Sequence, residues 1–184
     1  MASMPPPTVL VVIADGFEEV EAVTPIDVLR RAGAEVTVAA LGEGVHVTGR
    51  CGITIHADTT LDAAQASSFD CILLPGGPGV SLLRADARVL ELVKRQHRSK
   101  GWLAAICAAP AVLLDAGVIE GRRHTAHFSI RKEMPDALLE ERTVVDGRLI
   151  TSRGAGTALD FGLLITEKLF SPEKAGEVGK SICA

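Results

Sequence analysis

The chain has 184 residues, with 23 acidic against 19 basic side chains and a net charge of -4. Hydrophobic residues make up 47% and charged residues 23%, the balance of a soluble globular protein long enough to bury its own core. No lysine/arginine block tracks a phosphate backbone, and no apolar run approaches the ~20 residues of a bilayer span, so sequence-specific nucleic acid and membrane are excluded as partners.

A tail is expected over residues 1–7 and one domain over 8–184. The start of the chain lacks a basic n-region and a small-residue cleavage site, which places the protein in the cytoplasm. From Thr8 the β-branched run "TVLVVIA" predicts a central parallel strand covered on both faces. Asp15-Gly16 breaks it, and Glu18, Glu19 and Glu21 open a helix at its positive end. Thr24-Pro25 marks a kink or a fresh N-cap, and Gly33 the stop. Then "EVTVAAL" gives a second strand, and "VHVTGRCGITIHAD" alternates around glycines as a hairpin at the sheet edge.

"FDCILLPGG" is a buried strand ending in a Gly-rich loop, Asp86 to Lys100 an amphipathic helix, and "WLAAI" a further strand. Beyond Cys107 the pattern predicts a helix to Asp115, a short strand at "RHTAH", and a helix over Lys132 to Glu140. A hairpin "RTVVDGRLITS" follows, and "GTALDFGLLITEKLF" and "PEKAGEVGKSICA" close the chain as helices. Alternating strands and helices predict an α/β fold with a mostly parallel sheet and helices on both faces.

Ligands of such folds bind outside the carboxyl ends of the strands. "DGFEEVE", "LLPGGPG", "AICAAP" and "TAHF" all fall there. Cys107 sits at a strand-to-helix junction with small neighbours, the geometry of a nucleophile elbow, where a helix start favours the thiolate. Gly76 and Gly77, with Ala108, offer backbone N–H groups for an oxyanion. Glu21 shares a helix face with Glu18 within reach of the thiol, and His127 is the best placed of the five histidines for acid–base work. Each feature has a plain structural reading alone: a packed cysteine, a tight turn, dipole-complementing glutamates.

The remaining titratable groups read as bystanders. His46, His56, His97 and His124 are expected exposed, Cys71 packed, and Cys183 exposed near the chain end. The four cysteines are widely spaced without CxxC, so neither a disulfide framework nor a metal site is expected.

"DGFEEVEAVTPIDVLRRAGAEVTVA", "DCILLPGG", "KGWLAAICAAPAVLL" and "TSRGAGTALDFGLLI" together resemble the ThiJ/PfpI superfamily, and within it the Parkinson-disease-protein (DJ-one) branch. The resemblance runs in unbroken order from Thr8 to about Val178. It implies a flavodoxin-like three-layer sandwich, a homodimer, no cofactor, and an easily oxidised Cys107 hydrogen-bonded by a protonated Glu21 with His127 beside it. Gly76, Gly77 and Ala108 become the donors around the sulfur. The implied activities are glutathione-independent glyoxalase, turning the dicarbonyl methylglyoxal into lactate, and deglycation of early adducts on protein or nucleotide. The non-enzymatic alternative is a redox sensor and holdase chaperone. Ala108 stands where protease-like members carry histidine, and no late His-x-Glu pair is present, which disfavours peptidase and amidotransferase readings. In the hairpin, Arg50-Cys51-Gly52 displaces the branch's arginine by one position, so strand alternation predicts that Arg50 does not make the branch's arginine contact and that Cys51 is a second redox thiol near the dimer interface. Phe128 and Ala155 stand where relatives often carry proline, which bears on substrate shape.

Overall fold

Strand and helix alternate through β1 (Thr8–Ile13), α1 (Glu19–Ala32) and β2 (Glu35–Ala40). The hairpin β3 (His46–Thr48) and β4 (Thr54–His56) forms its own small sheet, and β5 (Thr59–Thr60) leads into the single turn α2 (Leu61–Ala64). Then come β6 (Cys71–Leu74), α3 (Val80–Ala85), α4 (Ala87–Arg98), β7 (Trp102–Ile106) and α5 (Pro110–Asp115). The last part holds β8 (Thr143–Asp146), β9 (Leu149–Ser152), α6 (Ala158–Leu169) and α7 (Pro172–Ser181). This computed structural model describes residues 5–184, so the first four positions of the expected tail lie outside it.

The seven-stranded sheet runs β5-β2-β1-β6-β7-β9-β8, parallel except for β8, which pairs antiparallel with β9. Successive residues of β1 serve opposite faces, as the period of a strand requires. Val9, Val11 and Ile13 meet Ala22 and Leu29 of α1 and Phe161 of α6, while Leu10 and Val12 meet Leu83, Val93 and Leu113 of the helices α3 to α5. This is the expected flavodoxin-like α/β sandwich. Because β1, β6 and β7 are parallel neighbours, the turns at Ala14–Glu18, Pro75–Gly79 and Cys107–Ala109 open on one edge of the sheet.

Three local readings change. Pro25 does not restart α1, since the helix runs unbroken past it to a left-handed Gly33 at φ 97°. Its ring side lies so close to α6 that a Cβ on Gly162 would stand 3.1 Å from Pro25 Cα, and this packing outweighs one missing helical hydrogen bond. "RHTAH" is extended but joins no ladder: Thr125 N–H goes to Thr151 Oγ1 at 2.9 Å and His127 N–H to the Cys107 carbonyl at 2.8 Å. No helix forms over Lys132 to Glu140; a 3-10 turn at Phe128–Ile130 gives way to isolated turns. Pro135 lacks a donor and disfavours a helical Met134 before it. The short elements β5, α2 and α3 have too few residues to show a period.

Candidate active site

Cys107 leaves β7 at φ 65°, a left-handed conformation that costs an L-residue about 1–2 kcal/mol. Hydrogen bonds hold it there from both sides. Its N–H donates to the Ser152 carbonyl at 2.9 Å, and its own carbonyl accepts the His127 N–H. The elbow thus ties the end of β9 and the segment bearing His127 to the end of β7.

Glu21 approaches from α1. Glu18 caps that helix, accepting the Glu21 N–H at 2.8 Å, and the Glu21 side chain is only 1% exposed. Its Oε2 accepts the Gly76 N–H at 3.0 Å, and its carboxyl hydrogen-bonds the Cys107 thiol. Loss of water raises the Glu21 pKa to about 7, with the Cys107 hydrogen bond pulling it down and the Glu18 charge pushing it up. Burial, then the charge and hydrogen bond of Glu21, push the Cys107 thiol up to about 12, against the Gly77 and Ala108 N–H groups that lower it.

Burial thus outweighs any help from the helix start, and α5 has six residues and begins only at Pro110. A neutral Glu21 carboxyl would remove the like charge that raises the thiol and present an O–H donor to sulfur.

Gly76 has no room for a side chain: a Cβ would stand 2.5 Å from Glu21 Oε2 and 2.6 Å from Cys107 Cβ. Its N–H is committed to Glu21, so of the three expected donors only Gly77 and Ala108 act on the sulfur. His127 sits half-buried across the elbow. Its Nδ1 accepts the Ser129 N–H at 3.2 Å beside Ser129 Oγ at 2.9 Å, which leaves Nε2 as the protonated nitrogen. Burial and then the Arg50 charge lower its pKa, both disfavouring the charged ring.

A cavity of about 460 Å³ gathers Cys107, Glu21, His127, Gly77 and Ala108, with Glu18, Arg50, Ser129 and Ala155 also on its wall. Other cavities, of about 520 Å³ beside His46 and about 710 Å³ beside Trp102, bring no thiol and carboxyl together, so size does not identify the site. Arg50 also lines this cavity: β3 ends at Thr48, residues 49–53 form a turn in which strand alternation no longer applies, and the Arg50 N–H bonds the Phe17 carbonyl at 2.8 Å.

Glu19, which sequence reading left as a dipole-complementing residue, is 6% exposed and holds that turn. Its Oε1 accepts the Cys51 N–H at 2.7 Å and the Ile53 N–H at 3.4 Å. Burial opposes its ionisation, but these hydrogen bonds keep its pKa below the usual value. Ser129 was likewise missed; only its spacing of two from His127 signals it.

Outside the cavity, Cys71 is packed in β6 with its thiol pushed up by burial, and Cys51 and Cys183 are exposed. His46 and His56 are exposed and His97 half-buried. His124 is buried, against expectation, with Nδ1–H donating to the Arg122 carbonyl at 2.8 Å. Among the described residues no three His, Cys, Asp or Glu side chains gather as metal ligands, and no helix is long and apolar enough to cross a membrane.

The profile of the DJ-1/PfpI family matches residues 7–168. The chain is 42% identical over 178 residues to protein DJ-1 homolog B of Arabidopsis thaliana, covering 95% of this chain but 41% of that longer relative. It is 38% identical over 171 residues to a Caenorhabditis elegans protein named glutathione-independent glyoxalase DJR-1.2, covering 90% of each. The crystal structure of Drosophila melanogaster DJ-1beta matches with a TM-score of 0.95 at 39% identity, over 98% of this chain and 99% of that one. The chain belongs to the DJ-1/PfpI family.

Proposed function

We propose that this chain converts methylglyoxal to lactate without glutathione, through a covalent intermediate on Cys107. The observation that carries this reading is the buried pairing of Cys107 with Glu21, a carboxyl poised near pH 7 beside a thiol. The name of the Caenorhabditis elegans relative supports the reaction class.

Cys107 thiolate adds to the aldehyde carbon, forming the C–S bond while the carbonyl electron pair moves to oxygen. The Gly77 and Ala108 N–H groups receive the resulting oxyanion. A proton then leaves the former aldehyde carbon and returns at the neighbouring carbon, whose oxygen becomes the lactate hydroxyl. Glu21 and His127 carry these protons, His127 entering with its proton on Nε2. The product is a lactoyl thioester; water attacks it, the C–S bond breaks, and lactate leaves with the thiol restored. Deglycation of early adducts belongs to the same reading, since it draws on the same nucleophile.

A second reading, a redox sensor with holdase activity, is favoured by the sulfur's being half-buried rather than sealed. In it two peroxide molecules each transfer one oxygen to Cys107, giving sulfinate and two waters. Either role is carried out by a cytoplasmic homodimer, for which exposed apolar Val20 (48%), Val23 (45%) and Ile53 (56%) supply a face.

Acid-quenched single turnover followed by peptide mapping tests the enzyme. A methylglyoxal adduct on the Cys107 peptide that hydroxylamine releases as a lactate derivative is expected. Its absence while lactate still accumulates contradicts the covalent route.

A further inference from the structure

We propose that His46 and His56 form an exchangeable zinc site on the solvent face of the β3–β4 hairpin. The two residues stand directly opposite each other in the antiparallel register. Val47, between His46 and Thr48, is 4% exposed and packs inward with Ile55, so strand alternation sends both imidazoles to solvent. There they meet edge to face, ring centroids 4.8 Å apart, with His46 Nε2 and His56 Nδ1 separated by 3.3 Å.

That separation selects a metal geometry. Two nitrogens bound to one zinc at about 2.0–2.1 Å with tetrahedral angles lie about 3.3–3.4 Å apart. Cis ligands of a square-planar or octahedral ion come closer, about 2.9 Å. The two nitrogens now share one N–H···N hydrogen bond, and moving that proton to the donor ring's other nitrogen with a turn of each ring frees both lone pairs for a shared tetrahedral ion. Neither ring makes any other hydrogen bond among the described residues that would resist that turn.

The local charge suits a cation. His46 borders a cavity whose wall carries Asp15, Glu43 and Asp86, and Arg88 there is already bound to Asp62 at 2.7 Å and Asp86 at 2.6 Å. Two protein ligands leave two positions for water, so the site is open and its metal exchanges. Bound zinc bridges the two strands whose connecting turn carries Arg50 to the candidate active site.

The test uses the whole chain and zinc chloride at neutral pH, with imidazole ¹H–¹⁵N spectra as a site-resolved reading that separates this site from the thiols. His46 Nε2 and His56 Nδ1 are expected to shift together and saturate at one zinc per chain. His46→Asn and His56→Gln, both exposed changes that spare the core, are each expected to weaken the zinc step that moves the remaining ring by about tenfold or more. Zinc that leaves either ring unshifted, or that moves the remaining ring of a single variant with unchanged affinity, overturns the proposal.

Discussion

The backbone N–H of Gly76 donates to Glu21 Oε2 at 3.0 Å, which aims a buried carboxyl from α1 at a thiol on the end of β7. An added methyl at Gly76 meets both members of that pair. Gly76→Ala is therefore expected to displace Glu21 from the sulfur and lower kcat/KM about 10²-fold. Circular dichroism and melting of the same sample show whether the loss is local; an active Gly76→Ala enzyme contradicts the arrangement.

Glu21→Gln keeps the shape of the carboxyl and removes its proton exchange, with an expected fall in kcat of about 10²–10⁴-fold. Stability moves the other way. Because the folded pKa is raised to about 7 from an ordinary 4.5, the group's contribution is fully present below 4.5 and is lost as pH rises through 7. The variant is expected to gain on the wild type between these values, by about 2–3 kcal/mol at the alkaline end. Melting temperatures of both proteins across that range check it; a constant difference contradicts the raised pKa.

Arg50 lowers the His127 pKa after burial has done so. Arg50→Ala is expected to raise it, because a neighbouring cation no longer opposes protonation. Imidazole NMR of His127 reads the shift directly, and no upward movement sinks the placement of Arg50 at the site.

The exposed pair Val20 and Val23 on α1 gives the proposed homodimer its test. Val20→Asp with Val23→Asp buries two charges in any interface formed there and is expected to yield monomers in sedimentation at micromolar concentration. An unchanged dimer removes this face from the assembly.

Long periodic stretches were legible: the β1 run and the apolar stripe of α4 announce themselves in residue type, and small neighbours mark the strand-to-helix junction at Cys107 but not its left-handed φ. The meeting of Cys107, Glu21 and His127 was legible because parallel strands deliver their turns to one edge. What the chain order hides is whatever depends on close approach. Pro25 stays helical only because Gly162 admits α1 against α6, and Arg50 reaches the cavity only because β3 stops at Thr48. Gly76 looked like an oxyanion donor until Glu21 claimed its N–H. Glu19, between two better-known glutamates, gave no sign in the sequence that it binds the turn beneath Arg50.

The most direct test of the account is lactate formation from methylglyoxal in the absence of glutathione, wild type against Cys107→Ser at equal concentration. The account predicts steady turnover by the wild type and a loss of about 10³-fold or more in the variant, whose hydroxyl is a far weaker nucleophile at neutral pH. Equal turnover by both proteins, or none by either, contradicts a thiol-dependent dicarbonyl enzyme.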